Sequence, residues 1–516
     1  MPSEIPIIDL FAGPGGLSEG FSAQRDSASD TRFRVALSIE KDVHARETLR
    51  LRSFYRQFEP ETIPDDYYRY LRGEIDQSEL FARNRPAAER SDSEAWLATL
   101  GQEPAREVER RIAEALDGAE SWVLLGGPPC QAYSLVGRSR MRRARGVAFD
   151  EDPRHFLYKE YLRILRNHQP AVFVFENVKG LLSSKIGGFN TFEAILRDLE
   201  CPSEADVRPR AKGGPGYALF GLDPDSEGRE ERSPSRFVVR SERFGVPQRR
   251  HRIIVIGIRE NLLSSSKRRL SLLTHHESQK VGDAISDLPP IRSRLSGFED
   301  SSKWWALALR GLVGDAVDWA SITPVTEEQR KTLCSLKTAF PDSGPSQLGT
   351  GARFIEWLVS NSPGRRLGGV VNHESKSHMA SDLQRYRYVS MFARVNGFSP
   401  KLDQFPPALL PNHRNARRAA EDGGIFVDRF RVQLADEPST TVTSHLAKDG
   451  HYFIHPDPAQ ARSLTVREAA RLQTFPDDYF FEGPRTEQYA QVGNAVPPYL
   501  SRQISSVVGD FLSRTN

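Results

Sequence analysis

The chain has 516 residues, which is too long for one ordinary domain and suggests two or three. A hydrophobic fraction of 38%, with no apolar run near the roughly 18 residues of a spanning helix, predicts a sizeable core and excludes a membrane-spanning protein. The net charge of +3, from 71 basic and 68 acidic residues, identifies no class of partner by itself. The three cysteines lack the spacing of metal ligands and are too few for a disulfide framework. The first segment has no basic region of the kind that begins a signal peptide. We therefore expect a cytoplasmic protein.

The first half of the chain alternates between short apolar runs and helical patterns. The helical patterns include residues 156–168 and 192–199. This alternation predicts an α/β fold with a mainly parallel sheet. Two charged segments rich in Pro and Gly, residues 57–110 and 201–235, are interpreted as insertions. The apolar runs predicted as strands are residues 5–11, 34–40, 120–127, 171–178 and 252–258.

The pattern changes after about residue 258. Residues 259–460 show no regular alternation and hold four of the six tryptophans, which predicts a second, irregular domain. Regular structure returns with a helix over 464–475, for which Thr465 is the predicted N-cap and Glu468 completes a capping box. A last helix, opened by prolines, is predicted over 496–512.

The sequence DLFAGPGG at residues 9–16 follows the first predicted strand. A glycine-rich turn at this place lets the backbone approach a ligand. Glu40 ends the second predicted strand, where a carboxylate can bind ribose hydroxyls. The spacing is not GxGxxG, which favours an adenosine cofactor without a pyrophosphate over a dinucleotide, and a tight turn without a ligand is the alternative. Phe11 either packs in the core or stacks on the adenine.

A cysteine, Cys130, stands in GGPPCQAYS directly after the third predicted strand. Ligands bind at the carboxyl ends of parallel strands, so this position favours a nucleophile. A lone cysteine is more often a small buried hydrophobe, but glycine, proline and glutamine rather than aliphatic residues surround this one. A thiolate at pH 7 would also need a cationic neighbour.

Two further motifs lie at the ends of predicted strands. Glu176, in FENV, is either an acid with a raised pKa or an ion-paired or capping glutamate. In VPQRRHRIIVIG, strand alternation places Arg250 and Arg252 on one face. The sequence YAQVGNAVPP, at 489–498, is a polar turn before the last predicted helix. It is either part of a functional site or simply a loop.

Basic residues cluster in two places. The first cluster, in GRSRMRRARG, follows the cysteine motif; the second, HRNARR, lies near residue 415. Such runs are usually solvated faces, but the position of the first one favours phosphate binding. Its arginines are Arg138, Arg140, Arg142, Arg143 and Arg145.

Together and in this order, the motifs resemble the DNA (cytosine-5) methyltransferase family, of the bacterial restriction–modification or orphan type. The resemblance covers residues 5–257 and 462–512. It implies a Rossmann-like S-adenosylmethionine-dependent domain over 1–258, a smaller target-recognition domain over 259–461, and a return to the catalytic domain over 462–516. The matching segments are DLFAGPGGLSEGF, GGPPCQAYS, EDPRHFLYKEYLRIL, FENVKGL, QRRHRIIVIG, RSLTVREAARLQTFP and QVGNAVPPYL.

The resemblance also implies a mechanism. The thiolate of Cys130 would attack C6 of a cytosine flipped out of duplex DNA, while Glu176 holds or donates a proton at N3. Arg252 would contact O2 of the base, and Arg250 would support the site. Gln131, Ser134 and the arginines of the first basic cluster would contact DNA, because the family has a mobile loop at this place.

Cofactor contacts carry over from the resemblance residue by residue. Phe11 would face the adenine and Glu40 the ribose, and Leu157 matches a leucine that touches the adenine. Glu74, in RGEID, stands where the family generally has an aspartate that contacts the adenine amine. The residues expected around the methionine portion and the nucleophile motif are Asp9, Gly13, Gly15, Gly16, Pro128 and Asn494.

We therefore expect a monomeric enzyme that methylates C5 of cytosine in a short sequence of duplex DNA, with a restriction endonuclease as a functional partner. No metal site is expected. Tyr386, Arg387 and Tyr388 are either base-reading residues or core.

Two rival interpretations remain. An RNA methyltransferase of the tRNA-acting branch would carry a Cys-Phe-Thr motif in the second domain, where the only cysteine is Cys334 in LCSLK. A catalytically inactive DNA-binding regulator would not need Cys130, Glu176 and Arg252, all of which are present.

Overall fold

The computed structural model describes residues 4–23, 32–128, 153–186, 189–203, 216–226, 233–263, 270–313, 369–412 and 427–514. The chain divides into two compact units. The first unit comprises Met1–Glu59, Phe81–Glu277 and Ala495–Asn516, and the second comprises Pro60–Leu80 and Ser278–Asn494.

The strands of the described residues are β1 (Glu4–Leu10), β2 (Arg32–Glu40), β3 (Ala95–Leu97), β4 (Val123–Gly126), β5 (Val172–Val178), β6 (Lys185–Ile186), β7 (Phe189–Asn190), β8 (Tyr217–Phe220), β9 (Val238–Arg240), β10 (Gln248–Arg249), β11 (His251–Arg259), β12 (Arg294–Leu295), β13 (Ser377–His378) and β14 (Ser439–Thr440).

The α-helices of the same residues are α1 (Gly16–Ser22), α2 (Val43–Arg56), α3 (Asp65–Leu71), α4 (Gln77–Arg83), α5 (Arg85–Glu94), α6 (Ala105–Leu116), α7 (Pro153–His168), α8 (Thr191–Glu200), α9 (Val281–Ile285), α10 (Ser302–Leu309), α11 (Ala380–Asn396), α12 (Val466–Leu472), α13 (Arg485–Asn494) and α14 (Pro498–Ser513). Within the described ranges, none of these helices has the length and apolar character needed to cross a membrane.

The first unit is built on one large sheet with the strand order β3-β2-β1-β4-β5-β11-β8, and β9 also pairs with β11. Pairing is parallel from β3 through β5, whereas β11 runs antiparallel to its neighbours. The prediction of an α/β fold with a mainly parallel sheet is confirmed. The chain leaves β1 towards β2 on one side, and β4 lies on the other, so a crevice is expected at the carboxyl end of β1.

The strands are apolar because both faces of the sheet are covered. Side chains of β1 alternate between two hydrophobic clusters: Ile5 and Ile7 join one, and Ile8 and Leu10 join the other. This burial on both faces explains why the strands read as continuous apolar runs in the sequence.

The last helix, α14, confirms the helix predicted over 496–512 and belongs to the first unit. It packs directly on α1: Ser501 donates a hydrogen bond to the Leu17 carbonyl at 2.6 Å. A β-carbon added at Gly16 would lie 2.2 Å from the Val496 carbonyl oxygen, so the contact requires glycine there. The C-terminal segment thus packs against the helix that follows the glycine turn.

The second unit has its own hydrophobic clusters, and α11 contributes to two of them. Tyr386 and Tyr388 lie in one cluster, and Arg387 is also buried. These three residues therefore occupy the core of this unit, which is the second of the two alternatives considered above.

The unit boundaries differ from the predicted domain boundaries at residues 258 and 461. Leu270 and Leu273 pack in the core of the first unit, which extends that unit to Glu277. Residues 462–494 belong to the second unit, because buried arginines of and beside α12 bind its backbone. Arg467 donates to the carbonyls of Val371 and Pro476, and Arg471 donates to that of Ala284.

The predicted start of α12 is confirmed. Thr465 is the N-cap, and Glu468 completes the capping box. Arg462 binds Glu468 through two hydrogen bonds, at 2.6 and 2.7 Å, and this ion pair is almost fully buried.

The second unit also buries four histidines, His373, His378, His451 and His455. Burial lowers the pKa of His378 to about 3 and, together with the charge of Arg462, that of His455 to about 4. In an unfolded chain these side chains titrate near pH 6.5. Below that pH the unfolded chain binds more protons than the folded one, so stability is retained above about pH 6.5 and declines during acidification.

We expect acidification from pH 6.5 to pH 5 to lower the free energy of unfolding of the second unit. The expected change is up to about 1.4 kcal/mol per pH unit for each of His378 and His455. Urea unfolding at several pH values measures this slope. The double substitution His378→Asn, His455→Asn should flatten it, whereas His445→Asn, at an exposed position, should not. An unchanged slope in the double variant would contradict the assignment.

Candidate active site

The predicted glycine turn joins β1 to α1. Gly15 is the N-cap of α1 with a φ of 86°, a left-handed conformation that favours glycine. Phe11 also has a positive φ, of 55°. A bulky residue held in this region stores strain, which is common where a backbone is shaped around a ligand.

Glu40, at the end of β2, is tied to this turn. Its carboxylate accepts hydrogen bonds from the backbone N–H groups of Gly13 at 2.8 Å and of Lys41 and Asp42 at 2.9 Å. A carboxylate offers about four acceptor positions, so one remains for a hydroxyl of a ligand. The structure thus brings Glu40 and the turn together, as predicted.

Asp9 lies beneath the same turn and is buried. Burial raises its pKa to about 7; a hydrogen bond with Ser18 opposes the rise and the charge of Glu40 adds to it. Among the described residues, its Oδ2 atom has no hydrogen-bond partner. A buried carboxylate oxygen without a partner is costly unless a ligand completes its contacts.

An apolar wall adjoins the turn. Phe11 and Leu157 are both half-buried and pack against the same hydrophobic cluster. Gly101, in the segment after β3, lies beside Leu157: a β-carbon added there would be 4.0 Å from Leu157 Cδ2. These residues fit the aromatic and aliphatic contacts that an adenine needs, and Glu40 and Asp9 fit the hydroxyl and cationic groups of S-adenosylmethionine.

Glu74 follows α3 in the chain. It belongs to the second unit, is largely exposed and pairs with Arg72 at 2.5 Å. This ion pair lowers the pKa of Glu74. The strand next to Glu40 is instead β3, in which Leu97 is paired with Glu40, so Ala98 and Thr99 follow the carboxyl end of that strand.

Two of the predicted catalytic residues, Glu176 and Arg252, meet near the end of β5 and the start of β11. Arg252 Nε lies 3.0 Å from Glu176 Oε1, and both side chains are mostly buried. Antiparallel pairing of β11 with β5 produces this contact, since it places Ile254 opposite Glu176 and Arg252 two residues along the same face. Glu176 is thus ion-paired with Arg252, and its role as an acid towards a ligand stays a prediction.

The segment that leads from β4 to the cysteine motif touches the same glutamate. A β-carbon added at Gly127 would lie 2.9 Å from Glu176 Oε2, so a larger residue there would displace the Glu176 carboxylate. Asn177 Nδ2 donates to the Pro128 carbonyl at 3.1 Å. The backbone two residues before Cys130 is thereby fixed beside Glu176.

Arg250 is almost completely buried next to this pair. Burial lowers the pKa of both arginines, and the charge of Glu176 raises both. An arginine stays protonated under such opposing effects, so the site holds two guanidinium groups around one carboxylate. This arrangement can hold a polar planar ring and stabilise negative charge on it.

The remaining predicted site residues are Asn494 and those of the cysteine motif and the first basic cluster. Asn494 ends α13, is exposed and belongs to the second unit. The residues that lie outside the described ranges are Cys130, Gln131, Ser134, Arg138, Arg140, Arg142, Arg143 and Arg145.

Comparison with known proteins identifies relatives of the whole chain. A family model described as C-5 cytosine-specific DNA methylase matches residues 100–201, 234–310 and 365–509, more than half of the chain. The type II methyltransferase M.Bpa9945I of Bacillus paralicheniformis is 32% identical, covering 98% of this chain and 99% of its own length. M.ApeKI of Aeropyrum pernix, named as a DNA (cytosine-5-)-methyltransferase, is 25% identical over 99% of both chains.

A solved structure has the same fold. It is a putative DNA modification methyltransferase encoded within an Escherichia coli prophage, with a TM-score of 0.52 and 18% identity, covering 98% of this chain and 99% of that one.

Proposed function

The chain belongs to the C-5 cytosine-specific DNA methylase family, and from that premise we propose that it transfers a methyl group from S-adenosylmethionine to a cytosine flipped out of a short specific sequence of duplex DNA. The observation that supports the proposal most is the contact between Arg252 and Glu176, at 3.0 Å, beside the segment that leads to Cys130. This contact joins two separate sequence motifs, and Gly127 and Pro128 bring a third motif to the same place.

The cysteine makes the ring reactive. C5 of cytosine is too weakly nucleophilic to take a methyl group directly. Attack of the Cys130 thiolate on C6 forms an S–C6 bond and moves the electrons of the C5–C6 double bond towards C5. A proton held by Glu176 at N3 neutralises the charge that this attack places on the ring.

Methyl transfer to C5 follows the attack, and elimination of the cysteine then releases the product. When bound at the glycine turn, S-adenosylmethionine would supply the methyl group, which would leave its positively charged sulfur as the bond to C5 forms. A base then takes the C5 proton, the electrons of the C5–H bond restore the C5–C6 double bond, and the C6–S bond breaks with its electrons going to sulfur as the Cys130 thiolate. Arg252 orients Glu176 throughout, and the buried Arg250 adds positive charge at the same place.

The residues proposed to hold the cofactor are those grouped at the glycine turn. Glu40 binds a ribose hydroxyl through its remaining acceptor position, Phe11 and Leu157 cover the adenine, and Asp9 lies below the methionine portion. We do not assign the adenine amine to Glu74, whose carboxylate pairs with Arg72.

We expect Phe11→Ala and Glu40→Gln each to weaken S-adenosylmethionine binding by about 1–3 kcal/mol, or roughly 5- to 150-fold in Kd, because a stacking partner or a charged acceptor is lost. Glutamine preserves the length of the side chain and one oxygen for the turn. Titration calorimetry measures the affinity, with Glu114→Gln, at an exposed position on α6, as the control. Unchanged affinity in both variants would remove this account of the pocket.

The region proposed to read the target sequence is still 259–461. Residues 314–368 and 413–426, which include the second basic cluster, lie outside the described ranges. Grafting 259–461 onto a related catalytic domain should transfer the target sequence, and an active chimera with its old specificity would refute the assignment. The relative M.Bpa9945I is named as a type II methyltransferase, and the functional partner that we propose for this chain is a restriction endonuclease for the same sequence.

A methyl-transfer assay with labelled S-adenosylmethionine tests the proposal against its rivals. The labelled methyl group should enter duplex DNA and not tRNA. Incorporation into tRNA alone would favour the RNA-modifying alternative, and DNA binding without any incorporation would favour a regulator.

A further inference from the structure

A short turn contacts the segment that carries the two arginines of the site, Arg250 directly before β11 and Arg252 within it. The turn is a 3-10 helix, Ser241–Arg243, which follows β9. Both the backbone N–H and the hydroxyl of Ser241 donate to the Arg250 carbonyl, at 3.1 and 2.7 Å. The next residue, Glu242, places its carboxylate Oε1 2.8 Å from Nε2 of His251.

These contacts form a continuous series that ends at the candidate catalytic glutamate. Glu242 holds the ring of His251, and the His251 carbonyl accepts a hydrogen bond from Arg252 Nη1 at 3.0 Å. Arg252 Nε in turn contacts Glu176 Oε1 at 3.0 Å. Three contacts, each at hydrogen-bond distance, therefore separate Glu242 from the carboxyl group proposed to act at N3.

Strand geometry explains why the histidine matters. Successive side chains of a strand point to opposite faces, so fixing His251 on one face fixes the neighbouring arginines on the other. A loss of register at this strand end would turn Arg252 away from Glu176. Arg240 ends β9 directly before this turn and is paired with His251. This pairing sets the register between β9 and β11 at the same point.

We propose that Glu242 is a positioning residue for methyl transfer, which acts through His251 to hold Arg252 in contact with Glu176. The inference rests on the roles proposed above for Arg252 and Glu176. Glu242 itself touches neither of them through the contacts described, so its effect should appear in the rate of the chemical step and not in the binding of either substrate.

We expect Glu242→Ala to lower kcat about 10- to 100-fold, since small misplacements of a reacting group have effects of this size. The Kd values for duplex DNA and for S-adenosylmethionine should stay within about threefold of the wild type. Glu242→Gln, which keeps an oxygen for His251, should recover most of kcat. Glu89→Ala removes an exposed carboxylate that pairs with Arg85, and it is the matched control.

A double-substitution cycle tests the route through the histidine. If Glu242 acts through His251, then Glu242→Ala should have little further effect on kcat in a His251→Ala background. Thermal unfolding of each variant separates misfolding from mispositioning, and Glu242→Gln keeps the test valid if the alanine variant does not fold. An unchanged kcat in Glu242→Ala, or effects that add in the double variant, would overturn the proposal.

Failure of this inference can be told apart from failure of the proposed function. If Glu176→Gln slows methyl transfer strongly and Glu242→Ala does not, the function stands and the positioning role is wrong. If the wild-type chain transfers no methyl group to DNA, the proposed function itself fails, and with it the roles on which the inference rests.

Discussion

Cys130→Ser should reduce methyl transfer to duplex DNA by more than about 10³-fold, because removing the nucleophile removes the covalent route. A serine hydroxyl is far less ionised than a thiol at pH 7 and would not attack C6 at a useful rate. DNA binding should survive, since phosphate contacts come from other residues. Single-turnover transfer of a labelled methyl group measures the rate, and a filter-binding assay measures DNA affinity.

Duplex DNA with 5-fluorocytosine at the target position should form a stable covalent adduct with the protein, which tests the same role of Cys130. Fluorine at C5 cannot leave as a proton does, so elimination stalls after methyl transfer. The adduct should require S-adenosylmethionine and map to Cys130. Cys201→Ser, at an exposed cysteine, is the matched control and should trap normally. A persistent adduct in Cys130→Ser, or one mapped to Cys201 or Cys334, would exclude the mechanism.

Arg462→Ala should lower the free energy of unfolding of the second unit by about 3–5 kcal/mol. Glu468 would be left buried without its charged partner, and breaking a buried ion pair from one side has effects of this size. Arg462 also donates to the Ile291 carbonyl, at 2.9 Å, so a link between distant segments is lost as well.

An exposed ion pair is the control for this substitution. Arg110 contacts Glu107 and Glu114 on the surface of α6, and its side chain is 53% exposed. Arg110→Ala should change stability by less than about 1 kcal/mol, because solvent screens such pairs. Urea unfolding followed by tryptophan fluorescence compares the two variants, and equal effects would show that burial is not what makes the Arg462 pair important.

The central sheet and the contact between Glu176 and Arg252 can be predicted from the sequence because each leaves a local signal. Strands buried on both faces read as unbroken apolar runs, and Glu176 and Arg252 stand at the ends of two such runs. Pairing of those runs in one sheet was enough to bring the two side chains together. The capping box at Thr465 was equally visible, since it depends on residues three positions apart.

Other features depend on contacts between distant segments and leave no such signal. The third strand, β3, at the edge of the sheet, has only three residues within a charged segment, so the sequence does not reveal that Ala98 and Thr99 follow it beside Glu40. The pairing of Glu242 with His251 joins a turn to a strand without any recurring spacing. Buried arginines such as Arg467 read as surface charges until their carbonyl partners are known.

Bisulfite sequencing of DNA from cells that express this chain tests the central claim most directly. The account predicts protected cytosines, and therefore 5-methylcytosine, at one short recurring sequence, and none there in cells expressing Cys130→Ser. Uniform conversion of every cytosine by bisulfite, with the wild-type chain expressed and folded, would contradict the assignment of cytosine-5 methylation in duplex DNA.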